Sequence, residues 1–203
     1  MQSTLPIQLD SAPSLQQLPR TQLPRTLAGK LAPAVAATAF LAICAHISVP
    51  LYFTPVPLTL QTFAVILIGI ALGPALGFST MVLYLAEGAA GLPVFSPHGP
   101  GGVAQLFGPT GGFLAAYPLA AAAAGAAARS LRRSHSQFAA AVLAGVAASI
   151  LFFAMGATWL AHLLHLSPGA AWHMAIAPFL PGEIFKVTAA AGASTSLSRW
   201  RRP

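Results

Sequence analysis

Charge is what this sequence has least of. Ten basic and three acidic residues make up only 6% of its 203 positions, against about 25% in an ordinary soluble domain. So little charge cannot cover a water-facing surface, which excludes a soluble enzyme and a disordered chain. Cysteine is nearly absent as well. Cys44 alone cannot close an internal disulfide, so a disulfide-rich secreted module is excluded, and it has no partner for a metal or redox motif. Lying in an apolar run, it reads as a small buried side chain. Carboxylates are rarer still: Asp10, Glu87 and Glu183 are the three. No Ser/His/Asp set, intramembrane carboxylate pair or nucleotide-binding loop stands out, so no enzyme and no resident cofactor is expected.

What is present is apolar sequence. Hydrophobic residues make up 56% of the chain and the mean hydropathy is +0.74. Windows 31–86, 88–128 and 134–182 contain no basic residue, and Glu87 alone separates the first two. A membrane-spanning helix takes about 20 apolar residues, so these windows hold several spans. The pattern predicts an all-α integral membrane protein, a bundle of six transmembrane helices near 30–49, 58–72, 74–89, 111–128, 138–164 and 172–197. The N-terminal segment 1–29 reads as a mobile cytoplasmic tail, with 23–30 a basic approach to the first helix. It lacks the apolar core of a cleavable signal peptide. Residues 30–197 form the membrane domain, and 198–203 a basic C-terminus.

The net charge of +7 does not point to nucleic acid, because nine of the ten basic residues sit at the ends of apolar windows. Arg20, Arg25, Lys30, Arg129, Arg132, Arg133, Arg199, Arg201 and Arg202 all fall on one side of a six-span chain. The positive-inside rule then puts both termini in the cytoplasm.

Two segments break the helical pattern. Val49–Pro57 holds three prolines and reads as a loop, and Pro178 and Pro181 should kink or break the start of the last span. Glu87–Gly112 has eight glycines and four prolines in 26 residues and reads as non-helical. Its Leu92, Val94, Phe95, Val103, Leu106 and Phe107 make it too apolar for a solvated linker. Such backbone at membrane depth is tolerated where it lines a cavity, so it is expected to cap one on the outer side.

Glu87, Glu183 and Lys186 remain once topology is explained. A charge at mid-helix costs roughly 2.5–3.5 kcal/mol on insertion scales, and such residues usually mark a polar pathway or ligand site. Glu183 and Lys186 are three apart and share a helix face. They either neutralise each other as a structural pair or present an acceptor and a donor to a polar ligand. Gln61, with Thr59 and Thr62, adds amide and hydroxyl groups beside the aromatic Tyr52 and Phe53. A mostly apolar cavity with a few polar groups suits a small molecule. His162, His165 and His173 offer a competing reading, a transition-metal permease, but they lack a carboxylate or thiolate to complete a ligand set, and no metal site is expected. Ala28, Ala32 and Ala36 recur every four residues, a spacing that lets another helix approach closely.

Four stretches carry a resemblance. TPVPLTLQTFAVILIGIALGPALG (54–77), LYLAEGAAGLPVF (83–95), GPTGG (108–112) and PFLPGEIFK (178–186) resemble, in order and spacing, the signature of the BioY biotin transporters. The resemblance covers about residues 30–197. It implies a six-helix substrate-capturing S component of an energy-coupling factor transporter that binds biotin on its outer side. Implied partners are membrane lipid, a transmembrane T component and two ATPase subunits, with self-association if the chain works alone. It implies biotin contacts for Glu183 and Lys186. The chain has Glu183 where the family commonly has Asp, and Phe113 where it often has Tyr. Gln61, Tyr52, Glu87 and Phe95 complete the candidate biotin contacts, and Ala28, Ala32 and Ala36 match the spacing S components use to dock the T component.

The charge distribution makes the orientation testable. A reporter fused after Arg133 is expected to score cytoplasmic, and one inserted near His98 external. The opposite score at either site removes the six-span topology.

Overall fold

The computed structural model of the chain describes residues 23–200. Helix α1, Leu23–His46, is followed by strands β1, Ser48–Leu51, and β2, Thr54–Thr59. Then come α2, Gln61–Leu72, α3, Pro74–Ala89, a short α4, Gly102–Phe107, and α5, Gly111–Leu131. The chain ends with α6, Gln137–Leu164, α7, Pro168–Ala175, a 3-10 turn at Ala177–Phe179, and α8, Leu180–Trp200.

Three helical stretches among the described residues are long and apolar enough to cross a membrane: Gly111–Leu131, Gln137–Leu164 and Pro168–Ser198. At 1.5 Å per residue the first of them is about 31 Å long, the thickness of the hydrocarbon core. Leu31–His46 and Gln61–Leu72 are shorter apolar helices.

The structure departs from the sequence reading in three places. The first helix starts at Leu23 rather than near residue 30. Pro24 falls in its first turn, where a missing N–H costs nothing, so nothing stops the helix from extending back. The tail 1–22, with Arg20, and Arg201 and Arg202 lie outside the described residues. Second, Val49–Pro57 is not a loop. β1 and β2 pair antiparallel, Ser48 opposite Thr59 and Val49 opposite Leu58, with an irregularity around Pro50. A two-stranded ribbon leaves each strand a free edge, where proline's missing donor is tolerated. Third, the glycine-rich segment contains α4. Gly101, at φ +70°, starts it, and its N–H donates to Gln105 Oε1 at 3.1 Å, which ties off a donor left free at the helix start.

The other boundaries follow local chemistry. Gly73, at φ +82°, turns the chain between α2 and α3, and Pro74 occupies the first turn of α3. Ser136 and Ser167 cap α6 and α7 by accepting the N–H groups of Ala139 and Ala170. Helix α7 ends at Ala175, and α8 restarts at Leu180 with Pro181 in its first turn.

Helix α5 is the centre of the bundle, packed against α2, α3, α4 and α6. Helix α8 rests on α2 and α6, and α1 lies against α2 and α3. The alanine-rich α5 (Ala116, Ala120, Ala121, Ala124 and Ala128 are all buried) lets its neighbours come close. At the α2–α5 crossing this becomes backbone contact. A Cβ on Gly69 would lie 2.4 Å from the Ala121 carbonyl oxygen, and one on Gly125 2.6 Å from that of Gly69. A smaller apolar cluster of Val56, Leu160, Ala175 and Phe179 fastens the hairpin over the ends of α6 and α7.

The crossing has no room to give. Gly69→Ala or Gly125→Ala is expected to cost about 1–3 kcal/mol, the range for overpacking, read as a lowered melting temperature in detergent. Wild-type melting in both variants would show that α2 and α5 separate freely.

Candidate ligand cavity

Glu183 lies in the first turn of α8 and Lys186 in the second, both buried, one turn apart on the same face. Lys186 Nζ lies 3.4 Å from Glu183 Oε2. Neighbouring helices complete the arrangement. Thr62, from α2, donates to Glu183 Oε2 at 2.8 Å and accepts from Lys186 Nζ at 3.1 Å. Ser149, from α6, has its hydroxyl 2.9 Å from Glu183 Oε1 and 3.0 Å from the Gly145 carbonyl. The carboxylate is thus held on both oxygens, from three helices. Of the three donors on the ammonium, one goes to Thr62 and one to Glu183. One remains.

That remaining donor belongs to a residue lining a cavity. The empty volume there, including its open mouth, is about 600 Å³. Phe113, Leu114, Tyr117, Phe152, Phe153 and Phe179 form its apolar wall, with Val56 and Pro57 of the hairpin. Tyr117 and Phe152 meet edge to face at 5.7 Å, which makes that wall stiff. Polar groups enter from three directions: Glu183 and Lys186 from α8, Thr59 from the end of β2 with Gln61 and Thr62 from the start of α2, and Ser96, Gln105 and Thr110 from the glycine-rich segment.

Gln61 is buried and bonded through both its amide oxygen and its amide nitrogen. It accepts from Thr59 Oγ1 at 3.2 Å and donates to the Tyr84 hydroxyl at 2.9 Å, which donates in turn to the Val94 carbonyl at 2.7 Å. This chain ties the floor of the cavity to the segment that covers it. Gln105 braces the covering segment internally. It accepts the Gly101 N–H and donates to Thr110 Oγ1 at 3.3 Å. Its amide also fills the space a side chain at Gly99 would need, since a Cβ there would lie 2.0 Å from Oε1. Trp159 Nε1 anchors the same segment by donating to the Gly108 carbonyl at 2.9 Å.

Of the six residues expected from sequence to meet a ligand, the structure brings Glu183, Lys186 and Gln61 to the cavity. The other three lie elsewhere. Tyr52 is fully exposed in the turn of the hairpin, because the antiparallel pairing sends that turn away from the bundle. Glu87 accepts from Thr38 of α1 at 3.1 Å and so links α1 to α3. Phe95 is buried beside the cavity, edge-on to Tyr84 at 5.5 Å and against Gly88. The neighbouring Ser96, not Phe95, lines the space. Sequence reasoning missed Ser96, Ser149, Gln105 and Thr110. Ser149 had one signal, a hydroxyl in the middle of a long apolar run. The other three had none, because their places depend on how the irregular segment folds back.

His162, His165 and His173 are exposed, and among the described residues no group of three His, Cys, Asp or Glu side chains could hold a metal ion. Ala32 and Ala36 point outward from α1, beside the exposed Leu31, Val35 and Ile43. The side chain of Ala28 lies outside the described residues.

A mostly helical apolar bundle around a cavity with a buried ion pair defines a membrane protein built to hold a small molecule. Comparison with known proteins identifies the group. Residues 16–202 match the model of the BioY family, and the chain belongs to that family. Among similar proteins is a probable biotin transporter BioY of Pyrococcus horikoshii, 38% identical over 136 residues, which are 67% of this chain and 76% of that protein. The biotin transporter BioY of Rhodobacter capsulatus is 34% identical over 184 residues, 87% of this chain and 93% of the relative. The crystal structure of the S-component for biotin from an ECF-type ABC transporter superposes with a TM-score of 0.78 at 25% identity. That match covers 87% of this chain and 94% of the other.

Proposed function

We propose that this chain is a biotin-binding membrane subunit serving biotin uptake, an S component of an energy-coupling factor transporter. One observation carries the reading: in a member of the BioY family, a buried carboxylate and a buried ammonium with a donor to spare line a cavity with aromatic walls. Biotin has an apolar bicycle for those walls, a ureido group and a valerate carboxylate. Glu183 accepts a ureido N–H, Lys186 pairs with the valerate, and Gln61 holds the geometry around them. The contrasting reading, a metal permease, loses its support because the outer histidines form no cluster.

The finer features belong to the same proposal. The membrane domain runs from residue 30 to 197 and spans the bilayer six times, through α1, α2, α3, α5, α6 and the α7–α8 stretch. Both termini face the cytoplasm, as the arginine distribution favours. The glycine- and proline-rich segment between α3 and α5 covers the cavity on the outer side. A T component docks on the outward face of α1 around Ala28, Ala32 and Ala36, and two ATPases supply the energy.

Binding is tested by titrating the purified protein in detergent with biotin, and the assignment of Lys186 by a substitution. Breaking a buried pair costs about 3–5 kcal/mol. Lys186→Ala is therefore expected to weaken biotin by roughly two to three and a half decades. Biotin with an uncharged valerate amide should bind wild type poorly and lose little more in the variant. Equal losses for acid and amide would mean that Lys186 does not read the carboxylate.

Docking separates from binding. Ala32→Leu or Ala36→Leu is expected to abolish uptake in cells and leave biotin binding by the purified protein unchanged, because a bulky side chain blocks close helix approach. An equal fall in both would assign these alanines to packing within the bundle.

A further inference from the structure

The aromatic side chains on the cavity are Phe113, Tyr117, Phe152, Phe153 and Phe179. Of these, Tyr117 is the one that carries a hydroxyl into the wall. A buried tyrosine usually finds a hydrogen-bond partner, and the neighbouring Tyr84 does. Its hydroxyl accepts from the Gln61 amide at 2.9 Å and donates to the Val94 carbonyl at 2.7 Å. Tyr117 is 3% exposed, yet its hydroxyl makes no hydrogen bond among the described residues. Nor is it walled in. The fully enclosed side-chain polar atoms without a partner there belong to Ser48 and Ser96. The Tyr117 oxygen is not one of them, so it keeps open surface, and the space its residue lines is the cavity.

Thr110, Phe113, Leu114 and Tyr117 recur at i, i+3, i+4 and i+7 and face the cavity together along α5. Tyr117 is the deepest of them, since Ala120 and Ala121 in the next turn belong to the packed core. Its ring is fixed on two sides. Tyr84 stacks beside it at 6.4 Å and 29°, and Phe152 meets it edge-on at 5.7 Å. Phe152 lies one turn beyond Ser149 on α6, and Ser149 bonds Glu183. The tyrosine therefore stands on the Glu183 side of the cavity. A carboxylate only accepts hydrogen bonds, so Glu183 meets a ureido N–H and leaves the ureido oxygen in need of a donor. The Thr59 and Thr62 hydroxyls already donate, to Gln61 and Glu183.

We infer that Tyr117 is a ligand-contacting residue whose hydroxyl donates to the ureido carbonyl oxygen of bound biotin. This rests on the biotin reading above and deepens it. Acceptor and donor then divide the ureido group between them, Glu183 taking an N–H and Tyr117 the oxygen. A ring already held by Tyr84 and Phe152 loses little freedom when the ligand arrives. A ligand with a poorer acceptor at that position binds more weakly.

The test uses purified full-length protein, wild type and Tyr117→Phe, a change that keeps the ring and removes the oxygen. Each is titrated with biotin and with its thioureido analogue, in which sulfur, a weaker acceptor, replaces the ureido oxygen. Melting temperature is read without ligand. A neutral hydrogen bond corresponds to about a two- to tenfold change in affinity. Tyr117→Phe should weaken biotin by that factor and the analogue by less. Melting without ligand should stay level or rise, because the hydroxyl has no protein partner to lose. Unchanged biotin affinity in the variant overturns the proposal. So does a lost affinity accompanied by a lowered ligand-free melting temperature, which marks a structural role. An equal loss for biotin and the analogue overturns it too, since the hydroxyl would then not read the ureido oxygen. Failure of wild type to bind biotin defeats the transport reading itself and this one with it, a result distinct from the other three.

Discussion

The arrangement turns on one buried ion pair. Glu183 and Lys186 sit in an apolar bundle, where each charge alone would be expensive. Their mutual attraction offsets part of the desolvation, and hydrogen bonds from Thr62 and Ser149 satisfy much of the rest. Three helices must therefore keep fixed positions: α8 for the pair, α2 for Thr62 and α6 for Ser149. A shift of any one would leave a buried charge short of a partner. A site of this kind is rigid because its polar groups have no solvent to fall back on.

The close packing elsewhere makes that rigidity possible. At the α2–α5 crossing backbone meets backbone through Gly69 and Gly125, and buried alanines line the same face of α5. This sets α2 deep enough for Thr62 to reach α8. The glycines here serve close approach, whereas those at 73 and 101 serve backbone turns of positive φ. Small residues do both jobs, which is why a chain this apolar still carries 18 glycines.

The glycine-rich segment and the hairpin cover the cavity with different chemistry. The hairpin contributes apolar surface through Val56 and Pro57, and Thr54 pins it by donating to the Met174 carbonyl at 2.8 Å. The other segment contributes hydroxyls and an amide, held by Gln105, Trp159 and the Gln61–Tyr84–Val94 chain. Floor and cover are thus linked through Tyr84, so a ligand that moves Gln61 also acts on the cover.

The sequence by itself determined that this is a membrane protein, where its long helices run and which charged residues are too costly to be idle. Those properties follow from composition and from the period of the helix, which act over one or two turns. Glu183 and Lys186 were legible because a charge in an apolar run needs a reason, and Gln61 because it opens such a run. Local chemistry also marked Pro74 and the break before α8. Tertiary structure alone decided the rest. Tyr52 looked like a wall residue until strand pairing carried it outward, and Glu87 like a ligand contact until α1 supplied Thr38. The start of α1, the hairpin and α4 depend on free edges, caps and contacts that no short window contains. Ser96, Gln105 and Thr110 reach the cavity, and Ser149 reaches Glu183, only because helices and loops distant in the chain meet there. A side chain's partners are set by packing in three dimensions, and hydroxyls and amides occur in too many places for spacing to reveal which of them will meet.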